Sequence, residues 1–135
     1  MKRMIAAYGF LMVTVLGLSA NAQSNGTGQN GCVATTPAEQ LALNAAKNEA
    51  RQMAELSNGG LEVYRAEPAM HGASIDAPCE MLGPATWRFM IRGGEPTAVV
   101  LTETYTTLSI VTVEGIGRDR TVTLDYNGPI NNQVR

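Results

Sequence analysis

The sequence predicts an α+β domain in which one N-terminal helix packs on a curled antiparallel sheet of three or four strands. Three observations carry this. Residues 36–57 join a helix start signal to a run of good helix formers. Residues 86–92 and 121–126 alternate apolar and polar side chains, the period of a half-buried strand. Every strand-like segment follows the helix, which favours a meander with one covered face over a βαβ array.

Ahead of the domain, Lys2 and Arg3 precede an apolar run from Met4 to Leu18, and small residues follow up to Ala20-Asn21-Ala22. A basic start, a short apolar stretch and a small-x-small end are the marks of a signal peptide. Residues 1–22 are therefore expected to be removed, giving a secreted or periplasmic protein. The competing reading is an uncleaved anchor. The apolar run is shorter than the roughly 20 residues that span a bilayer as a helix, so no stable membrane span is expected after cleavage. Losing Lys2 and Arg3 takes the formal net charge from −2 to −4. A mildly acidic chain without a basic run argues against a nucleic-acid partner. Residues 23–35 read as a polar flexible spacer, 36–130 as the single domain and 131–135 as a tail.

Cys32 and Cys79 are the only cysteines. In an exported chain an even pair is expected as a disulfide. Closing a loop of that length contributes roughly 4 kcal/mol on the loop-entropy estimate. Two cysteines and one histidine do not make a zinc site, and the spacing is unlike a C-x-x-C redox pair.

Thr36-Pro37-Ala38-Glu39 starts the helix: Thr36 caps, Pro37 suits the first turn, and Glu39 completes a capping box. The helix should run over 37–57 and stop at Asn58-Gly59-Gly60, where Asn58 or Gly59 can turn left-handed. Leu43, Ala46, Ala50, Met53 and Leu56 form its expected buried stripe; Lys47, Glu49, Arg51 and Glu55 take other faces.

A short strand is expected over 61–67, stopped by Pro68. Residues 68–84 read as irregular. In 86–92, Trp87, Phe89 and Ile91 take one face and Arg88, Met90 and Arg92 the other, and Gly93-Gly94-Glu95-Pro96 then turns the chain. Residues 98–114 are β-rich throughout. Their length calls for a bulge, bend or turn near 103–107. After a hairpin at 115–119, residues 121–126 place Val122, Leu124 and Tyr126 on one face, and Asn127-Gly128-Pro129 ends the sheet. The expected core is Trp87, Phe89, Ile91, Val111, Val113, Val122 and Leu124 against the alanine-rich stripe.

This helix-then-meander order resembles the cystatin-like and PepSY-like small exported domains, in architecture alone. The inhibitory Q-x-V-x-G run of cystatins is absent. Asn58-Gly59-Gly60-Leu61, Tyr64-Arg65-Ala66-Glu67, Met70-His71-Gly72 and the ending Val-Thr-Leu-Asp-Tyr-Asn-Gly-Pro over 122–129 are similar to small exported proteins of uncharacterised function of a cyanobacterial type. Neither resemblance implies an activity or carries over a catalytic residue.

His71 is the only histidine, and no G-x-S-x-G elbow occurs. No catalytic residue is expected, and the chain reads as non-enzymatic and without a cofactor. Met70, His71 and Met81 are candidate ligands for Cu(I), since thioether and imidazole suit that ion. The Met70-to-Met81 spacing resembles the first half of the motif of PCuAC-type copper chaperones; the second half, a His-x-Met pair, is missing. Arg65 and Glu67 on one face of the short strand, and Arg88 and Arg92 on one face of the next, are candidate binding residues for an anion or a partner. Thr102, Thr104, Thr106, Thr121 and Thr123 give outer strand faces that could extend a partner's sheet. The function expected is an exported interaction or envelope-associated module whose partner is an unknown protein or envelope polysaccharide. The alternative is a small copper-binding protein using the Met/His loop.

Overall fold

The computed structural model describes residues 31–130. Helix α1 spans Pro37–Ser57, and strands β1 (Arg65–Ala66), β2 (Cys79–Gly83), β3 (Thr86–Gly94), β4 (Thr107–Glu114) and β5 (Thr121–Pro129) form one sheet behind it. A second, short helix, α2 (Pro96–Thr102), joins β3 to β4. The order across the sheet is β1-β3-β4-β5, and β2 pairs β3 on the same edge as β1. All neighbours are antiparallel. The fold is thus the expected α+β helix on a sheet, with five strands instead of three or four. The expected signal peptide, most of the spacer and the tail lie outside the described residues.

α1 begins as its sequence requires. The Thr36 side chain accepts from the Glu39 backbone N–H at 3.1 Å. The Glu39 carboxylate reaches one residue further back than a capping box does, to the Thr35 N–H at 2.8 Å and to the Thr35 hydroxyl. Asn58 caps the other end, and Gly59, at φ +99°, takes the left-handed turn. The buried stripe steps by four: Ala42, Ala46, Ala50 and Ala54, with Leu43 beside them. That stepping leaves Met53 on the flank and rotates Leu56 to the outside, where it is 78% exposed. It also draws Lys47 and Glu55 under cover, contrary to the faces expected for them.

α1 lies against β3, β4, β5 and β1. Trp87, Phe89 and Ile91 of β3 and Val111 and Val113 of β4 are fully buried beneath it, with Tyr64, Ala66, Met70 and Cys79. Each large apolar side chain so buried contributes about 1.5–3 kcal/mol. Cys32 pairs with Cys79 in a disulfide, Cα to Cα 5.3 Å, consistent with an oxidising compartment. Trp87 Nε1–H donates to the Val33 carbonyl at 2.9 Å, and Cys32 and Ala34, assigned above to the spacer, pack into and against the core. Among the described residues no helix is long and apolar enough to cross a membrane.

Four segments depart from expectation. Residues 61–64 turn back on Gly60, whose carbonyl accepts from Val63 and Tyr64, so only Arg65–Ala66 is strand. Residues 68–84 hold two single-turn 3₁₀ helices, Pro68–Met70 and Ser74–Asp76, before β2. The β-rich run over 98–114 is split. Glu95 caps α2 by accepting from the Thr97 and Ala98 N–H groups, and Pro96 opens the first turn. These local signals override β propensity. Thr102 therefore ends a helix and Thr104 lies in the connection; Glu103, at φ +48°, makes the break.

The fourth departure is in β5. Ile110 faces Tyr126, but Val111 faces Leu124, so Asp125 is an extra residue in the ladder. Tyr126 consequently joins the face away from the helix, and Asn127 takes the core side opposite Ser109. Leu124, on the edge strand, stays 37% exposed instead of joining the core. Pairing continues through Asn127-Gly128 to Pro129, past the expected end of the sheet.

Candidate functional site on the open face of the sheet

The side of the sheet away from α1 carries three cross-strand rows, fixed by the register. The first is Glu80, Arg88, Thr112 and Thr123. The middle row is Met90, Ile110 and Tyr126. The third is Glu67, Arg92, Leu108 and Gly128; the Glu67 N–H donates to the Arg92 carbonyl at 2.8 Å. An apolar band thus runs across β3, β4 and β5 with an arginine on either side. Strand spacing of about 4.8 Å makes the band roughly 10 Å across. Met90, Ile110 and Tyr126 are each half-buried.

Arg92 is the firmly held one of the two arginines. Arg92 pairs with Glu67 at 3.1 Å, and its guanidinium lies 4.6 Å from the centre of the Tyr105 ring. Glu67 is itself buried and also accepts from the Arg92 backbone N–H at 2.8 Å. Arg88 pairs with Glu80 at 3.5 Å, an exposed contact worth little by itself. The Nε atoms of Arg88 and Arg92 are shielded from solvent and bond to nothing among the described residues. Thr112 donates to the Asp125 carboxylate, and the Tyr126 hydroxyl bends over Gly128 to the Pro129 carbonyl at 3.0 Å.

The structure therefore brings Glu67, Arg88 and Arg92 to one face. Arg65 sits at its corner on β1, opposite Gly94 and exposed. Three members were missed from sequence. Glu80 lies in β2, whose Cys-Glu-Met-Leu-Gly run has no clear alternation. Tyr126 changes face through the bulge. Tyr105 stands in a connection that gives no signal of its approach to Arg92.

The metal-ligand candidates are placed differently. Met70 is fully buried in the core, and Met81 packs against that core from β2, opposite Trp87. His71 is exposed, with Nε2 3.3 Å from the Ala66 carbonyl. Desolvation first, then the charges of Arg51 and Arg65, hold its pKa below the usual imidazole value. Among the described residues, no group of three or more His, Cys, Asp or Glu converges to hold a metal ion.

A shallow cavity of ≈ 240 Å³ lies between the start of α1 and the β4–β5 hairpin, lined by Ala38, Leu41, Ala42, Ile116, Gly117 and Arg120. Its one charged side chain is committed: Arg120 holds Glu49 through Nε at 3.0 Å and Nη2 at 2.7 Å. The lining offers no nucleophile and no base. No family model, curated protein or solved structure matches the chain.

Proposed function

We propose that the chain is an exported, non-enzymatic interaction module that grips a protein partner with the open face of its sheet. The observation that carries this reading is the half-buried Met90–Ile110–Tyr126 band flanked by Arg88 and by the anchored Arg92. Met, Tyr and Arg are enriched where protein surfaces meet. Arg92, already held by Glu67 and Tyr105, loses little freedom on binding. Export is supported by the leader-like start and by the Cys32–Cys79 disulfide. The copper reading draws less support, because the Met70 thioether is packed in the core.

The test is affinity purification of the tagged protein from its own exported fraction after mild crosslinking, alongside Ile110→Asp and Met90→Asp variants checked for an unchanged unfolding temperature. One protein retained by the parent and lost by both variants supports the reading. A partner retained equally by both moves the contact off this face. A polysaccharide in its place overturns the choice of partner.

A further inference from the structure

Among the described residues β5 is the outermost strand on its side of the sheet, and no strand pairs with its far edge. The two edges of the sheet are unlike. On the opposite side it ends in β1, two residues long, and in β2, which a register shift between Met81 and Gly83 interrupts. Short and irregular strands are how sheets guard an edge. β5 runs for nine residues, and its opening stretch, Thr121 to Leu124, pairs regularly with β4 and holds no charge, proline or glycine. The bulge comes only after it, and the Asp125 carboxylate there is drawn back over β4 by Thr112.

The backbone of this stretch is free to pair. The Gly115 N–H donates to the Ala85 carbonyl at 2.8 Å, on the β3 side, so the even-numbered residues of β4 bond toward β5. The Ile130 N–H, on the Thr106 carbonyl at 3.0 Å, keeps the same step. Thr121 and Thr123, opposite Glu114 and Thr112, therefore bond inward, and Val122 and Leu124 direct N–H and carbonyl groups outward. The core also stops short here. Two rows cross the helix side of the sheet: Phe89, Val111 and Leu124, and Trp87, Val113 and Val122. Each is fully buried on β3 and β4, yet on β5 Val122 is only half-buried and Leu124 is exposed.

We infer that β5 pairs with β5 of a second copy of this chain, antiparallel about a two-fold axis at Thr123, so that two sheets become one. In this register Leu124 stands opposite the second copy's Val122, and the two exchange both backbone bonds. Each interrupted core row then runs on into the other row of the second copy. Thr123 meets its own equivalent, a favourable cross-strand pair, and Asp125 meets Thr121, so no like charges face each other. A second copy brings a strand with the same free groups in the matching order, and an isologous contact closes at two. The overlap is small beside the roughly 20–30 residues a side of a standard interface, so the dimer is weak and depends on concentration. The contact uses the edge of β5 and is independent of the partner proposed for the open face.

The experiment follows the full mature protein by sedimentation and amide hydrogen exchange up to millimolar concentration. The dimer share should rise with concentration, and the Val122 and Leu124 amides should exchange more slowly as it does. Thr123→Cys puts two thiols across the axis, where the Cα atoms of such a pair stand about 4.5 Å apart, within reach of a disulfide. Oxidation should link that variant into a covalent dimer. Thr121→Cys faces Asp125 instead of its own equivalent, and should link at least about tenfold less. Thr123→Lys, an exposed change that sets like charges face to face, should weaken the dimer about tenfold at an unchanged unfolding temperature. A monomer at every concentration, equal linking of both cysteine variants, or a Thr123→Lys variant that dimerises like the parent would overturn the inference. Slow exchange at Val122 and Leu124 that ignores concentration would overturn it too, by showing that the chain covers its own edge.

Discussion

The ring of Tyr64 rests on the backbone of Gly93: a Cβ at position 93 would stand 2.3 Å from both the ring Cζ and the hydroxyl oxygen. Tyr64 is only 2% exposed, so the ring can yield only by moving within the core. Gly93→Ala is therefore expected to destabilise the fold by about 1–3 kcal/mol, the usual cost of overpacking a core. Urea unfolding should show the lower midpoint with an unchanged slope. A variant as stable as the parent would mean that the ring yields cheaply.

The hydroxyl of the same tyrosine titrates abnormally. Burial pushes its pKa up to about 12, with Glu67 and Glu55 adding to the shift and neighbouring Ser109 opposing it, although no well-formed hydrogen bond to the hydroxyl is made. The native state thus keeps this proton after the unfolded chain, with a tyrosine pKa near 10, has released it. Its contribution to stability is full below pH 10 and is lost as pH rises through about 12. Thermal unfolding from pH 7 to 12 should show that decline, and Tyr64→Phe should flatten it. At pH 7 the same variant should cost nothing, because it removes a buried donor that lacks a partner. A loss of stability at neutral pH would show that the hydroxyl is bonded in solution.

Glu39 governs the acid side. Hydrogen bonds from the Thr35 hydroxyl and N–H, opposed by burial, hold its pKa below the ordinary 4.5. Its contribution is present above pH 4.5 and lost as pH falls through the lower native value. Glu39→Gln should reduce the dependence of unfolding temperature on pH below 4.5. Part of that dependence remains, because Glu95 is shifted the same way by the N–H groups of Thr97 and Ala98. Identical acid profiles for variant and parent would remove Glu39 from this role.

The disulfide bridges residues 47 apart, with Cys79 fully buried and Cys32 nearly so. Reductant alone should leave both thiols closed to alkylation, and reductant with urea should open them. The reduced protein should melt lower by more than about 10 °C, as a loop-closure contribution of roughly 4 kcal/mol requires. Equal melting of reduced and oxidised protein would place the stability elsewhere.

Much of this fold was legible from local signals. Thr36-Pro37 and Asn58-Gly59 mark the ends of α1, and the Trp87-Phe89-Ile91 alternation marks β3 with Arg88 and Arg92 on its far side. What escaped was set by competition or by distance. α2 is valine-rich, and only the Glu95 cap and Pro96 announce it. β2 shows no alternation and becomes a strand by pairing with β3. The burial of Glu67 follows from Arg92, 25 residues away, and no pattern in either segment states it. Charge near His71 was hidden for the same reason, since Lys47 and Arg51 come from α1.

The extra residue at Asp125 works as a parity switch written into the chain. Two-residue alternation carried on from Val122 and Leu124 would send Tyr126 inward beneath the helix and Asn127 outward to water. With one residue uncounted, the ring completes the apolar band, and the amide meets Ser109 at 2.7 Å and Asn58 at 3.1 Å. One position thereby sets the chemistry of both surfaces of β5 at once: pairing Asp125 regularly into the ladder would exchange an aromatic for an amide on the outside and unmake the polar clasp that fastens the end of α1, whereas removing it would leave both side chains on their present faces.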